Sequence, residues 1–294
     1  MTELILGTAQ LGMSYGIANK TGKPDQNLAR EMIRAAWERG VRSFDTAPEY
    51  GTSEDVLGMA IKDLSLTQEA RVMTKIDELP NAELDTIITS VESSLNRLHI
   101  PQLELLSIRR KPFFAFWEEG LREVIEVILE KGMAKRVGVS VYEPDEALRA
   151  LEKSGIDAVQ IPANIVDRRF EEAGVFQKAD ELGKKIYVRS IFLQGLLLMR
   201  PSDLSPGMSF AATFLERLDA LGKIWDMSRP AMCLGALIDR YRNASILFGA
   251  ETREQIENTL DAAQVTLPEG LLTDLREMCR GVDDRVRNPM VWPK

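Results

Sequence analysis

The sequence predicts an α/β fold of the (β/α)8 TIM-barrel type. Eight short apolar runs alternate with amphipathic helical stretches along the 294 residues. That is the pattern of parallel strands covered on both faces. Each run carries a polar residue or a glycine at or near its end, where such a barrel builds its site. No Gly-x-Gly-x-x-Gly follows the first run, which weakens the competing open doubly wound sheet.

The strand-like runs are Leu4–Ala9, Ser43–Ala47, Arg71–Ile76, Leu103–Arg109, Arg136–Val141, Ala158–Ala163, Lys185–Ile191 and Ser245–Ala250. Helical periodicity fills the gaps. Asn27–Arg39 stops at Gly40, and Ser53–Leu64 has Thr52 and Asp55 as a capping pair. In Ala82–Leu98 the residues Leu84, Ile87, Ile88, Val91, Leu95 and Leu98 share one face. Glu118–Lys131 closes at Gly132. Two extra helices, Ala211–Arg229 and Ala231–Arg242, precede the last strand, and Pro268–Arg280 follows the last repeat. No linker or low-complexity stretch divides the chain, so residues 1–294 read as one domain.

The formal net charge of −8 disfavours nucleic acid and anionic membranes as partners. Cys233 and Cys279 have neither metal spacing nor a CxxC pattern, and read as free thiols in a reducing compartment. No signal pattern precedes Leu4, and no apolar run approaches the roughly 20 residues that cross a bilayer. A cytoplasmic location is expected, and no metal site.

The chemistry concentrates in Ser43-Phe-Asp-Thr-Ala-Pro-Glu-Tyr-Gly51 and in Lys75, at the end of the next run. They put Asp45, Tyr50 and Lys75 at the ends of consecutive predicted strands. A free phenol, with a pKa near ~10, exchanges its proton reluctantly at neutral pH. A cationic Lys75 within reach would stabilise the tyrosinate, and Asp45 would keep the ammonium charged and oriented. Tyr50 then serves as general acid toward a carbonyl, or as base toward an alcohol. The spacing also allows a structural Asp45–Lys75 ion pair beside a loop tyrosine.

The string Phe44-Asp-Thr-Ala-x-x-Tyr-Gly-x-Ser-Glu-x-x-Leu-Gly58 resembles the signature of the aldo-keto reductases, (β/α)8-barrel oxidoreductases that use a nicotinamide dinucleotide. Leu6-Gly-Thr8, Thr74-Lys75, Val137-Gly-Val-Ser140, Val159-Gln160 with Asn164, Ser190–Leu197, Gly249–Gln255 and Pro289-Met-Val-Trp292 extend the resemblance over nearly the whole chain. It implies that Asp45, Tyr50 and Lys75 are three of four catalytic residues. The fourth departs. Where the family has Asp-Leu-x-x-x-His, this chain has Glu104-Leu-Leu-Ser-Ile-Arg109. The sole histidine, His99, follows a predicted helix and reads as a surface or capping residue. Arginine only donates hydrogen bonds and cannot shuttle a proton. It can polarise a carbonyl oxygen or clamp a carboxylate or phosphate. The alternative is that Arg109 disables the site, leaving a non-catalytic or redox-sensing dinucleotide-binding protein.

The resemblance also implies a cofactor site. Gly7 and Thr8 lie at the first strand end, and Ser140 and Gln160 would hold the nicotinamide carboxamide. Val141 stands where an asparagine often follows that serine. Arg189 occupies the place of a stacking aromatic. Ser190, Phe192, Leu193, Gln194 and Gly195 would form the loop over the pyrophosphate, although Gly195 also suits an ordinary turn. Gly249, Glu251, Thr252, Gln255, Asn258 and Thr259 would receive the adenosine end. NADP is the family default. Glu251 beside a 2′-phosphate is unfavourable, which keeps NAD open, and Arg253 is the candidate to compensate. Tyr15, Phe113, Phe114, Phe116, Trp117 and Trp292 would either line a substrate pocket or pack on the rim, and Met199–Pro206 would form a flap. The expected partner is a small carbonyl compound (aldehyde, ketone or sugar-derived).

Overall fold

The computed structural model describes residues 2–76 and 85–293. Eight parallel strands close a barrel in chain order: β1 Leu4–Gly7, β2 Ser43–Asp45, β3 Arg71–Lys75, β4 Leu105–Arg109, β5 Val137–Ser140, β6 Ala158–Pro162, β7 Lys185–Arg189 and β8 Ser245–Gly249. All eight fall inside the expected runs. Leu103 pairs with Ala134 only as an isolated bridge, so β4 starts two residues later than expected.

Strand side chains alternate between faces. Ile5, Met73, Leu105, Ala158, Tyr187 and Leu247 point inward and fill the barrel. The alternate set, including Leu6, Phe44, Val72, Leu106, Ile108, Val139, Ile161 and Val188, packs outward under the helices, each at most 1% exposed. Burying such a side chain stabilises the fold by roughly 1.5–3 kcal/mol. Beyond Met73 comes Lys75, beyond Ala158 comes Gln160, and beyond Tyr187 comes Arg189. The register sets Gly7 beside Asp45 and Gly249, Lys75 beside Ser107, and Ser140 between Arg109 and Gln160. The apolar plug therefore ends under a polar ring. At the opposite end Glu3 accepts hydrogen bonds from Ser43 and Ser245, both 2.7 Å.

The helix Gln26–Glu38 buries Ala29, Met32, Ile33, Ala35 and Ala36, and Asp25 caps it by accepting from the Leu28 N–H. In Asp85–Leu98 the expected Ile87, Val91 and Leu98 are buried, with Ile88 and Leu95 against the same core. Leu84 and the expected start at Ala82 lie outside the described residues. The extra helices are Ala212–Trp225 and Arg229–Arg240 before β8, and Glu269–Met278 after the last repeat. Ser228 caps Arg229–Arg240, so that helix begins before the expected Ala231.

Two expectations are corrected. The stretch taken as Glu118–Lys131 is interrupted: Arg110–Phe116 runs into a wide turn, Trp117–Leu121, before Arg122–Glu130. Gly120, at φ 108°, supplies a backbone angle unfavourable for residues bearing a Cβ. Thr52 does not cap Ser53–Asp63 through its side chain. The helix start instead buries Ser53 and Glu54.

Candidate active site at the strand ends

Ser53 anchors the loop that carries Tyr50. Its hydroxyl donates to the Thr8 carbonyl at 2.7 Å and accepts from Thr46 at 3.0 Å. The Thr8 hydroxyl lies 2.8 Å from it and donates to the Asp45 carbonyl. Glu54 accepts from Thr74 at 2.6 Å and is ion-paired with Arg97. The Ser-Glu of the sequence signature thus ties β1, β2, β3 and a helix together. Glycines bring the loop in close. A Cβ on Gly12 would stand 1.8 Å from the Tyr50 carbonyl oxygen, and one on Gly51 would stand 2.5 Å from that of Gly12.

Lys75 is buried, and its Nζ donates to Asp45 Oδ2 at 2.7 Å and to the Thr46 carbonyl at 2.9 Å. Asp45 Oδ1 accepts from Gln160 Nε2 at 2.9 Å, and Gln160 Oε1 accepts from Ser140 Oγ at 3.4 Å. One polar chain therefore crosses the barrel mouth from β3 through β2 and β6 to β5. Burial alone would push the Lys75 ammonium down, but the Asp45 carboxylate and the nearby Tyr50 phenol outweigh it and hold it above the usual lysine range. Lys75 Nζ lies 5.2 Å from the centroid of the Tyr50 ring.

Arg109 reaches into the same space from β4. It is ion-paired with Glu49 of the Tyr50 loop through Nη2, and neither its Nε nor its Nη2 has a hydrogen-bond partner among the described residues. Burial lowers its affinity for the proton, the Arg189 guanidinium adds to this, and Tyr142 and Asp45 oppose it. Arg189 stacks on Tyr142, 4.4 Å from its centroid, and donates to the Val141 carbonyl at 3.1 Å.

These groups share one cavity of about 580 Å³. Asp45, Tyr50, Lys75 and Arg109 line it, as do Gly7, Thr8, Ser140, Gln160, Arg189, Ser190, Phe192, Gln194, Gly195, Gly249, Glu251, Gln255, Asn258 and Thr259. Two expected cofactor residues do not. Leu193 is 1% exposed in the core, and Thr252 is spent capping Arg253–Ala262 through the Gln255 N–H. Of the six aromatics only Tyr15 lines the cavity. Phe113 and Trp117 pack on each other at 5.1 Å, Phe114 and Phe116 lie against the core, and Trp292 bonds the Arg285 carbonyl. Of the expected flap, Met199 and Asp203 line the cavity, while Arg200 turns outward and pairs with Asp203.

Sequence reasoning missed Gln10, Glu49, Tyr142, Leu247 and Phe248 as lining residues. Tyr142 lies two positions past Ser140, so strand alternation was the signal for it. Nothing local marked Gln10. His99 is exposed, in a left-handed conformation after Asp85–Leu98. Among the described residues no side-chain cluster suits a metal ion, and no helix is long and apolar enough to cross a membrane.

Residues 3–279 match the aldo/keto reductase family, and the chain belongs to it. The chain is 24% identical over 318 residues, 96% of each chain, to the NADH-specific methylglyoxal reductase of Escherichia coli (strain K12). It is 29% identical to aldo-keto reductase YhdN of Bacillus subtilis (strain 168) over 161 residues, 52% of this chain and 48% of that one. The solved structure of aldo-keto reductase AKR11C1 from Bacillus halodurans (holo form) superposes with a TM-score of 0.77 at 22% identity, covering 97% of this chain and 95% of that one. Its likeness confirms the barrel. Family membership supports carbonyl oxidoreduction on a small substrate.

Proposed function

We propose that the chain is a nicotinamide-dinucleotide-dependent carbonyl reductase with Tyr50 as proton donor. The observation that carries this reading is the buried Asp45–Lys75 pair beside the Tyr50 ring, in the cavity that also holds the loop Ser190–Gly195. Lys75, kept charged by Asp45, favours the phenolate that Tyr50 leaves behind. Arg109 takes the histidine's place and turns its N–H donors toward the oxygens of the substrate.

The lining suits a dinucleotide. Ser190, Leu193 and Gln194 hold φ of 62°, 48° and 54°, followed by Gly195 at 92°. Consecutive left-handed residues are strained for side chains other than glycine, and the Leu193 and Gly195 N–H groups, bonded to the Ser190 and Phe192 carbonyls, hold the loop in this shape at the cavity wall. A Cβ on Gly195 would stand 2.5 Å from that of Ala18. Gln160 keeps one amide hydrogen and one oxygen lone pair for a carboxamide after bonding Asp45 and Ser140. When bound, the reduced nicotinamide supplies the hydride.

NADH is the better fit, against the family default of NADP. Burial pushes the Glu251 carboxyl above its usual range, opposed by the neighbouring Lys20 backbone and Thr21 hydroxyl. Arg253, the candidate to compensate, is engaged by Glu257 at 2.8 Å. A 2′-phosphate would therefore meet a carboxylate with no free guanidinium beside it. Titration followed by nicotinamide fluorescence should show NADH binding at least tenfold tighter than NADPH, and Glu251→Lys should reverse the order. Tyr50→Phe should abolish turnover with NADH affinity intact; an active Tyr50→Phe enzyme removes Tyr50 from the mechanism. A second reading rests on Glu49, which neutralises Arg109. It is a dinucleotide-binding protein without turnover, recognised by tight NADH binding and no reduction over a broad carbonyl panel.

A further inference from the structure

The cationic groups at the cavity floor are balanced unequally. Lys75 has Asp45 at 2.7 Å, both buried. Arg189 has no carboxylate partner among the described residues, only Tyr142, the Val141 carbonyl and Ser190. Arg109 is mostly buried, with its side chain 17% exposed, and its single carboxylate partner among the described residues is Glu49, whose side chain is 38% exposed. Glu49 can return to water at small cost, whereas Arg109 needs an anion where it stands. The loop thus lays a carboxylate on Arg109 at the residue next to Tyr50. The register adds the spacing: Lys75 pairs with Ser107, one inward-facing step below Arg109. A carboxylate on Arg109 therefore shares the cavity with the Tyr50 phenol that would face the carbonyl oxygen.

Building on the carbonyl-reductase reading, the geometry points to a substrate of the 2-oxo acid class, whose carboxylate replaces that of Glu49 on Arg109. Arg109 clamps the carboxylate through two parallel N–H donors. The carbonyl carbon gains a hydride from the reduced nicotinamide dinucleotide, and its oxygen gains a proton from Tyr50. The product is the 2-hydroxy acid, the dinucleotide is oxidised, and Tyr50 recovers its proton from solvent. Glu49 acts as a placeholder, keeping the guanidinium paired between turnovers and competing with neutral compounds for the seat.

The test compares pyruvate and phenylpyruvate with their methyl esters, using the full chain and NADH. The ester carbonyls are the more electrophilic, so a preference for the acids reports recognition. We expect kcat/KM to favour the acids by about 10- to 100-fold, the range of a charge-assisted contact. Arg109→Gln should bring the acid-to-ester ratio down to about one, and Glu49→Gln should raise it several-fold by removing the competitor. Retained NADH binding reports that each variant is folded. A second readout is binding of oxamate, a non-reducible 2-oxo acid analogue, to the NADH-loaded protein, which Arg109→Gln should abolish. Esters reduced as well as the acids, with a ratio indifferent to Arg109→Gln, would overturn the assignment and leave the reductase reading standing. No turnover of either class, but Arg109-dependent oxamate binding, would support the carboxylate seat and remove the reductase reading. Oxamate binding that is absent, or indifferent to Arg109, would overturn the seat.

Discussion

Replacing Lys75 by methionine tests the centre of the site. The Lys75 and Asp45 side chains are 3% and 7% exposed, and their charged atoms are 2.7 Å apart. Removing the ammonium strands a buried carboxylate, which typically costs ~3–5 kcal/mol. Gln160 Nε2 still donates to Asp45 at 2.9 Å, so the lower half of that range applies, about 3 kcal/mol. With a urea slope of about 3 kcal/mol/M, the midpoint should fall by about 1 M. Measurement at pH 7 is well placed. The folded-state pKa of Lys75 is raised, because Asp45 and Tyr50 outweigh burial. The contribution of the Lys75 ammonium is therefore complete below the unfolded value of about 10.4 and is lost as pH rises through the folded value. Adding Asp45→Asn should recover most of the loss, because the neutral amide no longer strands a charge, while turnover stays absent. A midpoint shift under about 0.3 M for Lys75→Met would show that the carboxylate is not desolvated. The reasoning that makes Lys75 an oriented, charged partner of Tyr50 would then fail.

Other tests reach the rest of the molecule. Burial pushes the Tyr187 and Tyr241 phenols up to about 12. Their stabilisation is complete below the unfolded value near ~10 and is lost as pH climbs toward the folded value, about 2–3 kcal/mol each. Alkaline ultraviolet titration should show two late-ionising tyrosines, coincident with unfolding. Gly195→Ala places a Cβ 2.5 Å from that of Ala18 at φ 92°. It should weaken NADH binding by at least tenfold, read by fluorescence titration, with a loss of stability of about 1–3 kcal/mol.

The strands were legible because both barrel faces are apolar, so each strand reads as a short continuous run. The helices between β7 and β8 were legible through their amphipathic repeats. The break at Trp117–Leu121 was not, because the repeat continues across Gly120 and only the backbone angle there departs from a helix. Asp45, Tyr50 and Lys75 announced themselves by complementary chemistry at adjacent strand ends. Glu49 and Tyr142 did not, because their importance lies in partners, Arg109 and Arg189, that are distant in sequence.

The order of residues alone determined the barrel and its family and singled out the proposed proton donor, since period, strand ends and residue chemistry are local properties. Tertiary structure alone decided which charges meet. It set Glu49 on Arg109, sent Arg253 to Glu257, and withdrew five of six aromatics from the cavity. The reason is geometric: ion pairing and burial depend on distances closed by the barrel, and those span tens of residues that carry no local mark of the encounter.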